Sequence, residues 1–250
     1  MGQTVLPRFL PMSNDAAPAI PPTMTARLLA EAIGSGFLIV AVIGSGIMAE
    51  NLSPDDVGLQ LLQNAAATAG ALIALILMFS TVSGAHFNPA VSLVDRLAGR
   101  LTNQEFAAYV TAQVVGGCIG AIVTNIMFSD FDSVEGAIFL SEKSRDTPAL
   151  LFSELIATIG LLLVIHGTLR HGRASLVAIA VGVWIGGAYF FTSSTSFANP
   201  MVSVARTLSD SFAGIAPASA PGFIAMQLIG AVVAFGLIRV LFTPSERGDV

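Results

Sequence analysis

Two stretches decide the fold: SGAHFNPAVSL at residues 83–93 and FANPMVSVAR at residues 197–206. Each carries an Asn-Pro pair, Asn88-Pro89 and Asn199-Pro200. Proline at the first helical position has its φ pre-set and lacks an N–H that would be unpaired there anyway. Asparagine just before it is a favoured N-cap. Both stretches therefore read as the starts of short helices. Their surroundings, 82–99 and 192–208, are only mildly apolar. Apolar pieces of roughly 10–14 residues are more often re-entrant than spanning.

The rest of the chain is far more apolar. Of 250 residues, 54% are hydrophobic and 11% charged, whereas soluble domains carry about a quarter charged residues. Most of the surface must then face lipid. Six segments reach the roughly 20 apolar residues a spanning helix needs: 25–49, 60–81, 104–128, 149–169, 174–191 and 219–242. The net charge of −5 offers no basic face to nucleic acid, and the lone Cys118 excludes an intrachain disulfide. Residues 1–24 read as a flexible tail without a signal-peptide core. No Cys/His/Asp cluster has metal-ligand spacing and no nucleophile–base pair stands out, so no metal, cofactor or enzyme activity is expected.

The chain also repeats. LLAEAIGSGFLIVAVIG at 28–44 matches LFSELIATIGLLLVIHG at 151–167, placing Glu31 on Glu154. YVTAQVVGG at 109–117 echoes FIAMQLIGA at 223–231, placing Gln113 on Gln227. Each repeat, 25–128 and 149–242, holds three spans and one Asn-Pro loop, with a linker at 129–148 and a second tail at 243–250. Three spans per repeat force opposite insertion, an inverted repeat of the kind found in transport folds. The expected fold is an all-α membrane protein of six transmembrane helices plus two re-entrant half-helices. With both termini inside, eight of the eleven Lys and Arg residues, Arg8, Arg27, Arg96, Arg100 and Arg247 among them, fall on the cytoplasmic side.

Two half-helix N-termini meeting at mid-bilayer place partial positive charge there, and their Asn amides offer donors and an acceptor to a neutral hydroxylic solute. Such half-helix dipoles are a known barrier to protons and cations in aquaporin-type pores. The quoted loops resemble the two signature loops of the major intrinsic proteins, the aquaporin and aquaglyceroporin superfamily, over about residues 25–242. The resemblance implies a homotetramer in the lipid bilayer with one pore per subunit, passing water or small neutral solutes. A wide filter with Val202 where arginine is usual further resembles that of bacterial aquaglyceroporins linked to arsenic resistance, which implies a bacterial inner membrane.

Within that frame the pore motifs are Asn88, Pro89, Ala90 and Asn199, Pro200, Met201. Glu31 and Glu154 have two readings: proton coupling, as for any intramembrane carboxylate, or support of the re-entrant loops, which the resemblance implies. His86 has two readings, a gate or hydrogen-bonding group near the cytoplasmic mouth or a packing residue, and His166 reads as a satisfied buried histidine. Gly116/Gly120 and Gly182/Gly186 mark close helix crossings. Counting from the motifs puts the family's four-residue constriction at Thr68, Gly187 (or Gly186, still a glycine), Ser196 and Val202, with Val202 where arginine is usual. Small side chains there imply a wide filter for glycerol-like polyols, urea and neutral metalloid hydroxides, with Met201 adding an apolar group near the second Asn. Arg206, one turn beyond Val202, has two readings: it reaches back toward that filter, because helical side chains lean toward their N-terminus, or it makes an outer-loop salt bridge or a lipid-headgroup contact. The competing function is an ion- or proton-coupled secondary transporter.

Overall fold

A computed structural model describes residues 21–170 and 173–242. Most of the expected N-terminal tail, the C-terminal tail, Arg8 and Arg247 lie outside the described residues. Eight α-helices follow one another: α1 Met24–Leu52, α2 Val57–Ser83, α3 Pro89–Leu97, α4 Asn103–Met127, α5 Pro148–Arg170, α6 Val177–Phe191, α7 Pro200–Ala205 and α8 Ala220–Phe242. A 3-10 turn, Ala174–Leu176, opens α6, and another, Arg206–Leu208, closes α7. Helices α1, α2, α4, α5, α6 (with its opening turn) and α8 are long and apolar enough to cross a membrane. The short α3 and α7 are the half-helices.

Local chemistry sets the ends. Thr23 Oγ1 accepts from Ala26 N to start α1, and Thr102 with Glu105 forms a reciprocal capping box at α4. Gly84 ends α2 at φ 88°, a left-handed turn that suits glycine.

Helix α1 crosses α4 with backbones nearly touching. A Cβ on Gly116 would collide with the Ala32 carbonyl, and one on Gly120 with that of Gly36. The second repeat packs α5 on α8 through Gly230, where a Cβ would lie 3.0 Å from the Leu155 oxygen. These contacts leave large apolar residues such as Phe37, Ile119, Val183 and Val240 exposed, as a lipid-facing surface requires.

The 129–148 linker is not a free loop. Ser141 N donates to Thr207 O (3.0 Å), Ala216 N to Lys143 O (2.8 Å), and Asn125 Nδ2 to Ala137 O (3.0 Å). The linker thus straps the far end of α7 to α4.

Candidate functional site

The two half-helices meet at their N-termini. Asn88 Oδ1 accepts from Ala90 N (2.8 Å), and Asn199 Oδ1 accepts from Met201 N (3.0 Å). Each amide also donates across the meeting point: Asn88 Nδ2 to Ala198 O and Asn199 Nδ2 to Phe87 O, both 2.8 Å. An amide has two N–H groups, so one per asparagine remains for a solute. Pro89 and Pro200 occupy the first helical positions.

Holding these loops costs backbone strain. Ala85, Phe87, Ser196 and Ala198 all have positive φ, between 46° and 51°. They sit at matching positions, three and one before each Asn. For residues with a Cβ this is unfavourable by about 1–3 kcal/mol each, so other bonds must fix the loops.

The two fully buried carboxylates do so. Glu31 accepts from Ser83 Oγ (2.6 Å), His86 N (3.0 Å), Phe87 N (2.7 Å) and Gln113 Nε2 (2.7 Å). Glu154 accepts from Ser194 Oγ (2.6 Å), Phe197 N (2.9 Å), Ala198 N (2.8 Å) and Gln227 Nε2 (2.6 Å). The two sets are related by the repeat.

A cavity of about 580 Å³ runs past the asparagines. At one end His86, Asp95 and Arg100 line it; at the other, Thr68, Tyr189, Ser196, Phe197, Val202 and Arg206 do. His86 Nε2 lies 3.2 Å from Asp95 Oδ2, and Arg100 pairs with Asp95 Oδ1 at 2.5 Å. Arg100 also lies 2.9 Å from His166 Nε2, while His166 Nδ1 bonds Leu162 O. At the opposite mouth Tyr189 Oη donates to Thr68 Oγ1 (3.1 Å).

Arg206 is 2% exposed, donates its Nε to Ala213 O, and stacks its guanidinium 3.5 Å from the Phe197 ring centre. Arg145, from the linker, lies 5.2 Å from the same ring and donates its Nε to Gly214 O (2.9 Å). Neither forms an ion pair among the described residues.

Residues 21–198 match the family model described as major intrinsic protein. The chain belongs to the major intrinsic protein family. Over 223 residues it is 46% identical to aquaglyceroporin AqpS of Rhizobium meliloti (strain 1021), covering 89% of this chain and 93% of that one. Over 164 residues it is 32% identical to aquaporin NIP1-2 of Arabidopsis thaliana, covering 62% of this chain and 54% of that one. The X-ray structure of the aquaglyceroporin from Plasmodium falciparum superimposes with a TM-score of 0.72 over 89% of this chain and 98% of that one. At 21% identity, this likeness bears on the fold alone. Family and fold together make the protein a passive membrane channel for water and small solutes.

One position in this family member departs from the count along the sequence. Gly187 does not line the cavity; it lies on the exposed face of α6 with Val183 and Phe191. Tyr189, two residues on and about 200° round the helix, takes the inward place. Met201 is fully buried, and its sulfur packs where a Cβ on Gly117 would sit, on α4 rather than in the cavity. Ala90 is likewise buried in the core, against Leu162 and Ala231. Thr68, Ser196 and Val202 do share one end of the cavity with Arg206. The sequence reading passed over Tyr189 and Arg145, whose roles depend on loop lengths no single sequence displays.

Proposed function

We propose that small uncharged hydroxylic solutes cross this passive channel between the Asn88 and Asn199 amides, and that Arg206 supplies the cationic element of its outer constriction. The observation that carries this reading is the reciprocal asparagine pair beside a single continuous cavity. Each asparagine retains one N–H, so a solute oxygen passing the centre is met by donors and by two helix N-termini. That arrangement orients lone pairs inward and opposes a cation.

Val202 stands where the family resemblance leads one to expect arginine. The buried guanidinium of Arg206 compensates from one turn farther along, held by Phe197 and Ala213 O. It forms no ion pair among the described residues and lines the cavity, so its charge bears on a solute there. The constriction is therefore cationic although its counted position is apolar.

A coupled carrier finds little support. Glu31 and Glu154 are each filled by four donors and do not line the cavity. Asp95, the carboxylate that does line it, is bound to His86 and Arg100.

The setting we infer is a bacterial inner membrane with both termini cytoplasmic and four copies per assembly. This orients the His86–Asp95–Arg100 mouth inward, consistent with the basic residues gathered on that side. Stopped-flow light scattering on proteoliposomes, comparing water, glycerol, urea and arsenous acid, tests the reading. Glycerol and at least one other neutral solute should pass well above protein-free vesicles. Passage of water alone would contradict it.

A further inference from the structure

We propose that Tyr189 is the side chain that sets the size limit for solutes at the outer constriction. The inference rests on the channel reading above. It is carried by the register of α6, by the Tyr189–Thr68 bond, and by a cavity-lining hydroxyl that has no partner among the described residues.

Tyr189 is 3% exposed and lines the cavity. Its hydroxyl donates to Thr68 Oγ1 across the space between α6 and α2. A phenol ring is broad and stiff, and this bond fixes its far end as well as its root. The ring is therefore a wall. A glycine at the inward position would leave the space open, and Gly187, which the count along the sequence assigns there, faces outward instead.

The polar atoms around the ring define what passes. Ser196 Oγ is buried and has no hydrogen-bond partner among the described residues, although it lines the same end of the cavity. Other buried hydroxyls, Ser35 and Thr158 among them, are also without a partner among the described residues, but of these only Ser196 lines the cavity, where a passing solute can reach it. Thr68, while accepting from Tyr189, keeps its own proton to donate. Val202 and the Phe197 ring supply an apolar side. A compact neutral molecule with hydroxyls on one edge and carbon on the other fits this lining. A longer polyol, with hydroxyls on every edge, meets the ring and loses hydration against Val202.

The test uses the full chain in proteoliposomes, with urea, glycerol, erythritol, xylitol and sorbitol as probes. Wild type passes urea and glycerol and excludes xylitol and sorbitol. Tyr189→Ala should raise xylitol permeability about tenfold or more, the ratio that roughly 1.4 kcal/mol of barrier represents. Tyr189→Phe keeps the ring and should keep the exclusion of sorbitol. Tyr189→Trp should act in the opposite direction, lowering glycerol flux. It provides a second reading of the same wall if the alanine variant fails to assemble. Gly187→Ala, whose new methyl would make ordinary contact with Phe191, should leave every permeability unchanged.

A wild type that passes none of the solutes would defeat the channel reading itself. A wild type that conducts, with the same cut-off in Tyr189→Ala and the same glycerol flux in Tyr189→Trp, would overturn this proposal alone. So would a cut-off that moves with Gly187→Ala and not with Tyr189.

Discussion

Asn88 and Asn199 each hold the loop that carries the other: one amide bonds the residue before Asn199, the other the residue before Asn88, both at 2.8 Å. The pair therefore acts as a clasp as well as a pore lining. Neither half-helix can retreat without breaking a bond that belongs to its partner.

The clasp predicts coupling. Asn88→Ala and Asn199→Ala each remove an N-cap and leave a buried carbonyl unpaired, a loss of about 2–4 kcal/mol when the two effects are combined. Because the bonds are reciprocal, the double variant should lose less than the sum of the singles. Thermal unfolding of the four proteins in detergent checks this. Simple additivity would show that the loops are held independently.

The carboxylates predict a stability effect without coupling. Glu154→Gln keeps the shape but sets an NH2 group against two of the four donors, either Ser194 Oγ and Phe197 N or Ala198 N and Gln227 Nε2. Each donor left unpaired is destabilising by about 1–3 kcal/mol. Unfolding temperature should fall clearly, while solute flux in surviving wild-type-like protein should remain indifferent to an imposed proton gradient. A flux that follows the gradient in wild type and loses this dependence in Glu154→Gln would assign the carboxylate to proton transfer.

The helix crossing predicts a steep size dependence at one face. Gly120→Val drives a side chain into the Gly36 backbone, and overpacking of this kind is destabilising by about 1–3 kcal/mol or more. Gly236, with nothing within 4 Å of a new Cβ, should accept alanine without loss. Assembly yield and unfolding temperature of the two variants make the comparison.

Arg206 predicts a charge effect. Arg206→Ala should raise cation leak through the vesicle wall while neutral flux is maintained or increased. Arg206→Lys should restore the barrier only in part, since an ammonium lacks the planar face that stacks on Phe197. Ion-sensitive dye leakage measures both. Unchanged leak in Arg206→Ala would remove Arg206 from the constriction.

Much of the fold was legible because lipid is a demanding solvent. Six apolar runs had to become helices, and the two Asn-Pro pairs had to start helices at residues 89 and 200, as they do. Position along a pore was harder to read. Counting twelve residues back from Asn199 assumes a fixed length for the loop after α6. Here α6 ends at Phe191, and a slip of two residues turns Tyr189 inward and Gly187 outward. Nothing in the sequence marks that rotation, because Gly187 and Tyr189 both suit an apolar helix. Arg145 was hidden for a different reason. A linker arginine is ordinarily solvated, and only the folding of the strap over Gly214 and Phe197 buries it.

The concentration dependence of glycerol flux into proteoliposomes, measured with and without a proton gradient, tests the central claim most directly. A pore past the Asn88–Asn199 clasp should give near-linear flux across the range, with no response to the gradient. Saturation at low concentration together with acceleration by the gradient would contradict it.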